Sequence, residues 1–227
     1  NAGKICLALL LLVSFASTNF YSQRINFNNL SLKDGLSNNK VVAILQDKSG
    51  FLWFGTEDGL NRFDGYEFKV YRNNLQDSNS ISGNNIWSLY EDADGNIWIG
   101  TKSGELNRYD VKRDLFEHWV IKAPNIQDNS INEIYRDESD NLWIGTYQSG
   151  LYRLNIKTNE IKNWKYKPND PNSLSNNFIT SIVEDSQGNI WISTYNGLNK
   201  FNPKSDEDSF QQFYSEPGKE NSLSNNL

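Results

Sequence analysis

The chain is poor in the residues that usually cross-link small exported proteins or do their chemistry. One cysteine, Cys6, and one histidine, His118, are all it has of either type among 227 residues. Cys6 lies in an apolar stretch near the N-terminus, so the remainder can build neither a disulfide framework nor a Cys/His metal site. No later stretch approaches the roughly 20 apolar residues that a spanning helix needs, and none has sustained helical periodicity. Lys and Arg number 22 against 28 Asp and Glu, a formal charge of −6. The basic residues are scattered, which argues against nucleic acid or an anionic lipid surface as partner.

Residues 1–22 read as a secretory signal peptide. Lys4 precedes an apolar run over residues 5–13 that continues through Phe15 and Ala16, and small and polar residues follow to Ser22, a fitting residue before a cut. An uncleaved anchor is the weaker alternative, because the run is short for a bilayer. Cys6 stands too early for lipoprotein-type cleavage. An exported chain with no disulfide has to be held by packing.

What the chain has in abundance is repetition. The segments FLWFGT (residues 51–56), IWIGT (97–101), LWIGT (142–146) and IWIST (190–194) place Trp53, Trp98, Trp143 and Trp191 at spacings of 45, 45 and 48. Asp47, Asp92, Asp137 and Asp185 each stand six residues ahead of a Trp, and Leu36, Ile81, Ile126 and Leu174 each open a polar tetrad. A fifth tetrad, residues 223–226, begins where the given sequence stops, and residue 1 is Asn, so the sequence reads as a piece of something longer.

Each unit holds four short apolar segments between turn residues; the first gives residues 41–46, 51–56, 60–63 and 68–71. Four strands every 40 to 50 residues is the pattern of a β-propeller blade. The expected fold is all-β: four four-stranded blades, forming part of a ring expected to have seven. The expected boundaries are 1–22 for the signal peptide, 23–35 for an N-terminal closing strand and lead-in, 36–80, 81–125, 126–173 and 174–222 for the blades, and 223–227 for a fifth blade's start. The closing strand (25–30, INFNNL) is expected to complete the last blade and so remove a free sheet edge.

The turn chemistry fits. Asp opens each first turn (DKSG, DADG, DESD, DSQG), where its carboxylate accepts from the backbone two residues on, and Asp140 fills the one fourth position without Gly. Gly59, Gly104, Gly150 and Gly197 mark a second tight hairpin. Each repeat Trp offers a large apolar face, and its indole N–H needs a partner if buried. Gly55, Gly100 and Gly145 follow two residues later, where a missing side chain lets a neighbouring blade approach; Ser193 takes that place in the fourth unit.

The run GLSNNKVVAILQDKSGFLWFGTEDGLNRFDGYEFKVYRNN (residues 35–74) resembles the two-component regulator propeller repeat, and the likeness extends over nearly all of residues 25–227. The resemblance implies the periplasmic sensor half of a hybrid two-component system of the Bacteroidetes type. There, two seven-bladed propellers precede a small β-domain, a transmembrane helix anchored in the inner membrane and a histidine kinase. It further implies an oligosaccharide ligand, the remaining blades and downstream domains as partners, and a homodimer of the full-length receptor. No kinase motif, receiver or helix-turn-helix occurs in these residues.

A residue present in every unit serves the fold, whereas a position that changes from unit to unit is free to serve a ligand. The second-to-third-strand loops vary in that way: Glu57-Asp58, Lys102-Ser103, Tyr147-Gln148-Ser149 and Tyr195-Asn196. Tyr147 and Tyr195 match in register. Trp87 stands near the start of an inner strand, where the other units have Val42, Asn132 and Thr180. Rings beside amides and carboxylates suit a sugar, which is stacked and hydrogen-bonded at once. The candidate ligand set is therefore Trp87, Asp58, Lys102, Tyr147, Gln148, Tyr195 and Asn196, with ordinary loop and interblade contacts as the bland alternative. His118 falls on an outer strand and has no second His or Cys, so no metal, cofactor or catalytic residue is expected. The segment 92–96 (DADGN) reads as a turn, since the full calcium-loop pattern is missing. Two other function classes stay open: a secreted propeller lyase of the streptogramin-inactivating type, and a protein-binding scaffold.

Overall fold

A computed structural model of the chain describes residues 27–121, 129–205 and 207–226. The signal peptide with Cys6, the first residues of the closing segment (Ile25 and Asn26) and tetrad positions 126–128 lie outside the described residues.

The described residues hold sixteen strands in four antiparallel sheets, each with its strands in chain order. Blade 1 comprises β1 (Val41–Gln46), β2 (Leu52–Thr56), β3 (Gly59–Phe63) and β4 (Phe68–Tyr71). Blade 2 comprises β5 (Ile86–Glu91), β6 (Ile97–Thr101), β7 (Glu105–Asp110) and β8 (Leu115–Val120). Blade 3 runs through β9 (Ile131–Arg136), β10 (Asn141–Thr146), β11 (Leu151–Asn155) and β12 (Ile161–Trp164), and blade 4 through β13 (Ile179–Glu184), β14 (Ile190–Thr194), β15 (Gly197–Phe201) and β16 (Phe210–Phe213). The first strands β1, β5, β9 and β13 lie side by side from blade to blade, as inner strands about an axis do.

One carboxylate per blade joins turn to core. Asp47 Oδ1 accepts the backbone N–H groups of Ser49 and Phe51 at 2.9 and 3.0 Å, while Oδ2 accepts the indole N–H of Trp53 at 2.7 Å. The same indole bond recurs from Trp98 to Asp92 (3.0 Å), Trp143 to Asp137 (2.8 Å) and Trp191 to Asp185 (2.9 Å). A cation lies over each ring: Arg62, Arg108 and Arg153 at 5.8, 5.7 and 5.9 Å, and Lys200 at 5.4 Å. With its polar atom satisfied, the indole can be fully buried, and burial of a ring this size contributes about 4–6 kcal/mol of transfer free energy.

Blades dock ring to ring and backbone to side chain. Trp53 packs on Tyr109 of blade 2 at 5.4 Å, and Trp143 on Phe201 of blade 4 at 5.5 Å. A Cβ added to Gly145 would lie 2.5 Å from Ile179 Cγ2, and one on Gly55 would lie 2.7 Å from Ile86 Cγ2, so glycine sets how closely the next blade's inner strand can approach. Polar ties cross the same seams: Arg136 of blade 3 reaches Asp92 and Asp94 of blade 2, and the Tyr135 hydroxyl donates to Glu184 of blade 4 at 2.9 Å.

The polar tetrads are clasps. The serine N–H groups of Ser37, Ser82 and Ser175 donate to the buried Asn61, Asn107 and Asn199 of their own third strands. The last tetrad residue serves the preceding blade: the N–H groups of Gly59, Gly150 and Gly197 donate to the carbonyls of Asn84, Asn177 and Asn226. The fifth tetrad, residues 223–226, thus docks on blade 4 as earlier tetrads dock on theirs. Blade 3 departs from the pattern, having Tyr152 where the others have the asparagine.

The N-terminal closing segment is expected to pair with a blade beyond residue 227; Phe27 to Leu30 are exposed and form no strand with the four blades described. Ile44 on blade 1 is 65% exposed, whereas its counterparts Ile134 and Ile182 are each 3% exposed against the preceding blade. Asp140 takes the left-handed conformation, φ 63°, which lets it replace glycine.

Replacing Asp137 with Ala strands a buried indole N–H, and the expected destabilisation is about 1–3 kcal/mol. Denaturant unfolding of Asp137→Ala, Trp143→Phe and the double variant reads it as a coupling energy. For Asp185, the indole, the Asn189 amide and turn N–H groups hold the carboxyl well below the ordinary carboxylate range. Its contribution is present above the unfolded-state value and is lost as pH falls below it.

Candidate functional site

The variable positions gather at one end of the blades. In blades 2 to 4 the residue just after the second strand and the residue just before the first strand are held side by side by the backbone. Lys102 N–H donates to Asn85 O, Tyr147 N–H to Ser130 O and Tyr195 N–H to Phe178 O, each at 3.0 Å. The fourth-to-first connections reach the same end, where the Arg72 guanidinium donates to Asp58 O at 3.2 Å and to Asp58 Oδ2 at 3.0 Å.

The four seats hold different chemistry. In blade 1, Lys40 pairs with Glu57 at 2.6 Å beside the Arg72–Asp58 pair, so Asp58 is engaged by an ion pair within its own blade. In blade 2 the Lys102 ammonium lies 5.4 Å from the Trp87 ring centroid. In blades 3 and 4 three rings form a ladder. Tyr147 meets Phe178 edge-on at 4.5 Å, and Phe178 stacks parallel on Tyr195 at 5.3 Å. Gln148 and Asn196 are exposed beside these tyrosines. The structure therefore brings Tyr147 together with Tyr195 and Trp87 together with Lys102, and leaves Asp58 apart. The sequence reading missed Phe178. Its signal was present, since the first position after each tetrad reads Lys40, Asn85, Ser130 and Phe178.

Each inner strand also carries a β-bulge near this end. The register skips one residue in every blade, and the skipped residues are Val42, Trp87, Asn132 and Thr180. A bulge re-aims the extra side chain and interrupts the ladder. The carbonyls just before two of the bulges are capped from the preceding blade, Ile131 O by Ser88 Oγ at 2.7 Å and Ile179 O by Asn132 Nδ2 at 3.0 Å. The column singled out through Trp87 is thus a repeated backbone feature that changes side chain from blade to blade.

The remaining titratable groups fit structural roles. His118 is exposed on the outer strand β8, and no cluster of three His, Cys, Asp or Glu able to hold a metal occurs among the described residues. Asp92 in the DADG turn is occupied by Trp98 and by the Asp94 and Asn96 N–H groups. The two roomier clefts, about 560 Å³ beside blade 4 and about 500 Å³ between the first turns of blades 1 and 2, contain none of the candidate residues. Glu133, on the inner strand beside Gly145, is pushed up by burial to about 7.

Four stacked four-stranded blades, each pinned by its own Asp–Trp bond, define an all-β propeller array. Residues 35–58, 80–103, 125–148 and 173–196 match the family model described as "Two component regulator propeller", and the chain carries four repeats of that family. Histidine kinase P4 of Formosa agariphila is 48% identical over 64 residues, which is 27% of this chain and 5% of that protein. The extracellular domain ascribed to the hybrid two component system BT3049 of B. thetaiotaomicron superposes with a TM-score of 0.68 at 31% identity, covering 82% of this chain and 26% of that one. Virginiamycin B lyase of Staphylococcus aureus superposes with a TM-score of 0.59 at 13% identity over 79% of this chain and 57% of its own, a likeness of fold alone. The chain spans 5% of the curated relative and about a quarter of the first solved one.

Glu133 sets a pH dependence. Below about pH 4.5 both folded and unfolded states hold the proton; between there and about 7 only the folded state keeps it, so stability falls as pH rises. The variant Glu133→Gln lacks this penalty. Its melting temperature relative to wild type is expected to rise between pH 4 and pH 8, and a difference that stays flat across that range contradicts the assignment.

Proposed function

We propose that this chain is the ligand-sensing propeller of a hybrid two-component receptor, that it works on the outer side of the inner membrane, and that its ligand is an oligosaccharide. The four family repeats and the likeness to an extracellular domain of a hybrid system support the receptor reading. The observation that carries the ligand reading is the ring ladder of blades 3 and 4 with Gln148 and Asn196 at its side, because apolar faces flanked by amides match the two-sided chemistry of a sugar.

In this reading the blades are the rigid part and the signal is a change in docking. Ligand occupancy shifts a receptor only if the ligand binds its two signalling states with different affinity. The partners are the remaining blades and downstream domains of the same receptor, a second copy in a homodimer, and a histidine kinase that the propeller controls. No metal or cofactor enters this scheme, and the scattered positive charge disfavours nucleic acid. The lyase reading would need a histidine-bearing site on the ring face, and His118 lies on an outer strand.

Thermal melting of the full-length receptor with neutral and acidic oligosaccharides tests the reading. A cognate sugar at a hundred times its Kd is expected to stabilise the propeller by about 2.7 kcal/mol. Turnover of a lactone antibiotic with no response to any sugar would favour the lyase instead.

A further inference from the structure

The same two positions, the residue opening the first strand and the residue following the second, hold an ion pair in blade 1 and stacked rings in blade 4. Lys40 and Glu57 meet at 2.6 Å; Phe178 and Tyr195 lie parallel at 5.3 Å. The backbone at the two ends is alike, as both blades carry the same bulge, the same Ser–Thr hydrogen bond (Ser37 to Thr56 and Ser175 to Thr194) and the same buried asparagine clasp. The difference is therefore one of surface chemistry on a common frame. Blade 1 closes its seat with charges that satisfy each other, whereas the blade 3–4 end leaves ring surface open, Tyr195 being 56% and Tyr147 37% exposed.

Ring area left in solvent is not stabilised by burial, so Tyr195 and Tyr147 keep apolar surface that a polar pair in the same seats would not expose. Phe178 touches a ring on each side and bridges the seam between blades 3 and 4. The variable positions around the ladder, Asn132, Gln148, Thr180 and Asn196, carry a hydroxyl and amides and no ionised group. Such a set stacks on the C–H face of a sugar ring and exchanges hydrogen bonds with its hydroxyls, and it offers a carboxylate or sulfate no counter-charge.

Resting on the oligosaccharide reading above, we propose that the blade 3–4 end is the contact half of the ring face. It takes uncharged pyranose residues, and Phe178 is the ring that determines this specificity. The blade 1 end is a sealed, non-contact half. Asp58, held by Arg72, is then no ligand group.

Blade 1 supplies the control that keeps the fold. The double substitution Phe178→Lys with Tyr195→Glu places in blade 4 the ion pair that blade 1 holds at the same two positions. The probes are neutral tetrasaccharides (cello-, laminari-, manno- and xylotetraose) and tetragalacturonate, titrated calorimetrically into the full-length receptor, with melting temperature recorded alongside. The expected result is that a neutral probe binds wild type, that the double variant still unfolds cooperatively but loses roughly tenfold or more in affinity, and that Phe178→Trp retains binding. Glu57→Gln is expected to change affinity less than about twofold, within what an exposed ion pair contributes. Neutral probes that bind wild type and the double variant equally overturn the assignment of Phe178 while leaving the oligosaccharide reading intact. Binding of tetragalacturonate alone overturns the uncharged class. Failure of every probe to bind wild type overturns both.

Discussion

The bond from each indole N–H to the carboxylate six residues before it is the constraint on which the architecture rests. A tryptophan can sit in the dry seam between two sheets only if its one polar atom is paired. The aspartate meets that need from a turn that its other oxygen is already holding closed. Turn geometry, strand pairing and blade packing are thereby coupled through a single side chain in blades 1 to 3, while Trp191 of blade 4 makes the same bond and stays partly exposed. The cation above each ring extends the arrangement at little cost, since a guanidinium keeps its head near water while its stem covers the indole.

Coupling of this kind explains why the blades vary where they do. Seam positions answer to two sheets at once, so Gly145 cannot gain even a methyl group without meeting Ile179. At the end that bears the second hairpins the backbone is tied to the next tetrad, but the side chains at the hairpin tips are less constrained. The bulge there breaks the regular ladder in every blade and leaves the extra residue free to be Val42, Trp87, Asn132 or Thr180. An invariant frame with a freely edited rim lets one fold present different surface chemistry from blade to blade.

Much of the frame could be read from the chain because repetition exposes it: the strand bounds of blade 1, the turn aspartates and the glycine approach all follow from columns that recur. The indole's partner was harder, since sequence gives a spacing of six but no direction for the carboxylate's second oxygen. The tetrad clasps were not legible, because Ser37 bonds to Asn61 and Gly59 to Asn84, both distant in sequence. At the rim, comparing hairpin tips found Tyr147 and Tyr195 but overlooked Phe178, which comes from a different loop. The same comparison admitted Asp58, whose partner Arg72 comes from the fourth-to-first connection.

Hydrogen exchange at the indole Nε1 positions, followed by NMR of the tryptophan-labelled receptor with assignments from Trp→Phe variants, tests the division of frame from rim most directly. Trp87 and Trp98 lie on neighbouring strands of one blade, the first partly exposed and the second fully buried. The account predicts that Trp98 and Trp143 exchange only on global unfolding, while Trp87 exchanges at a rate set by its exposure. Comparable protection of Trp87 and Trp98, or rapid exchange at Trp143, would contradict it.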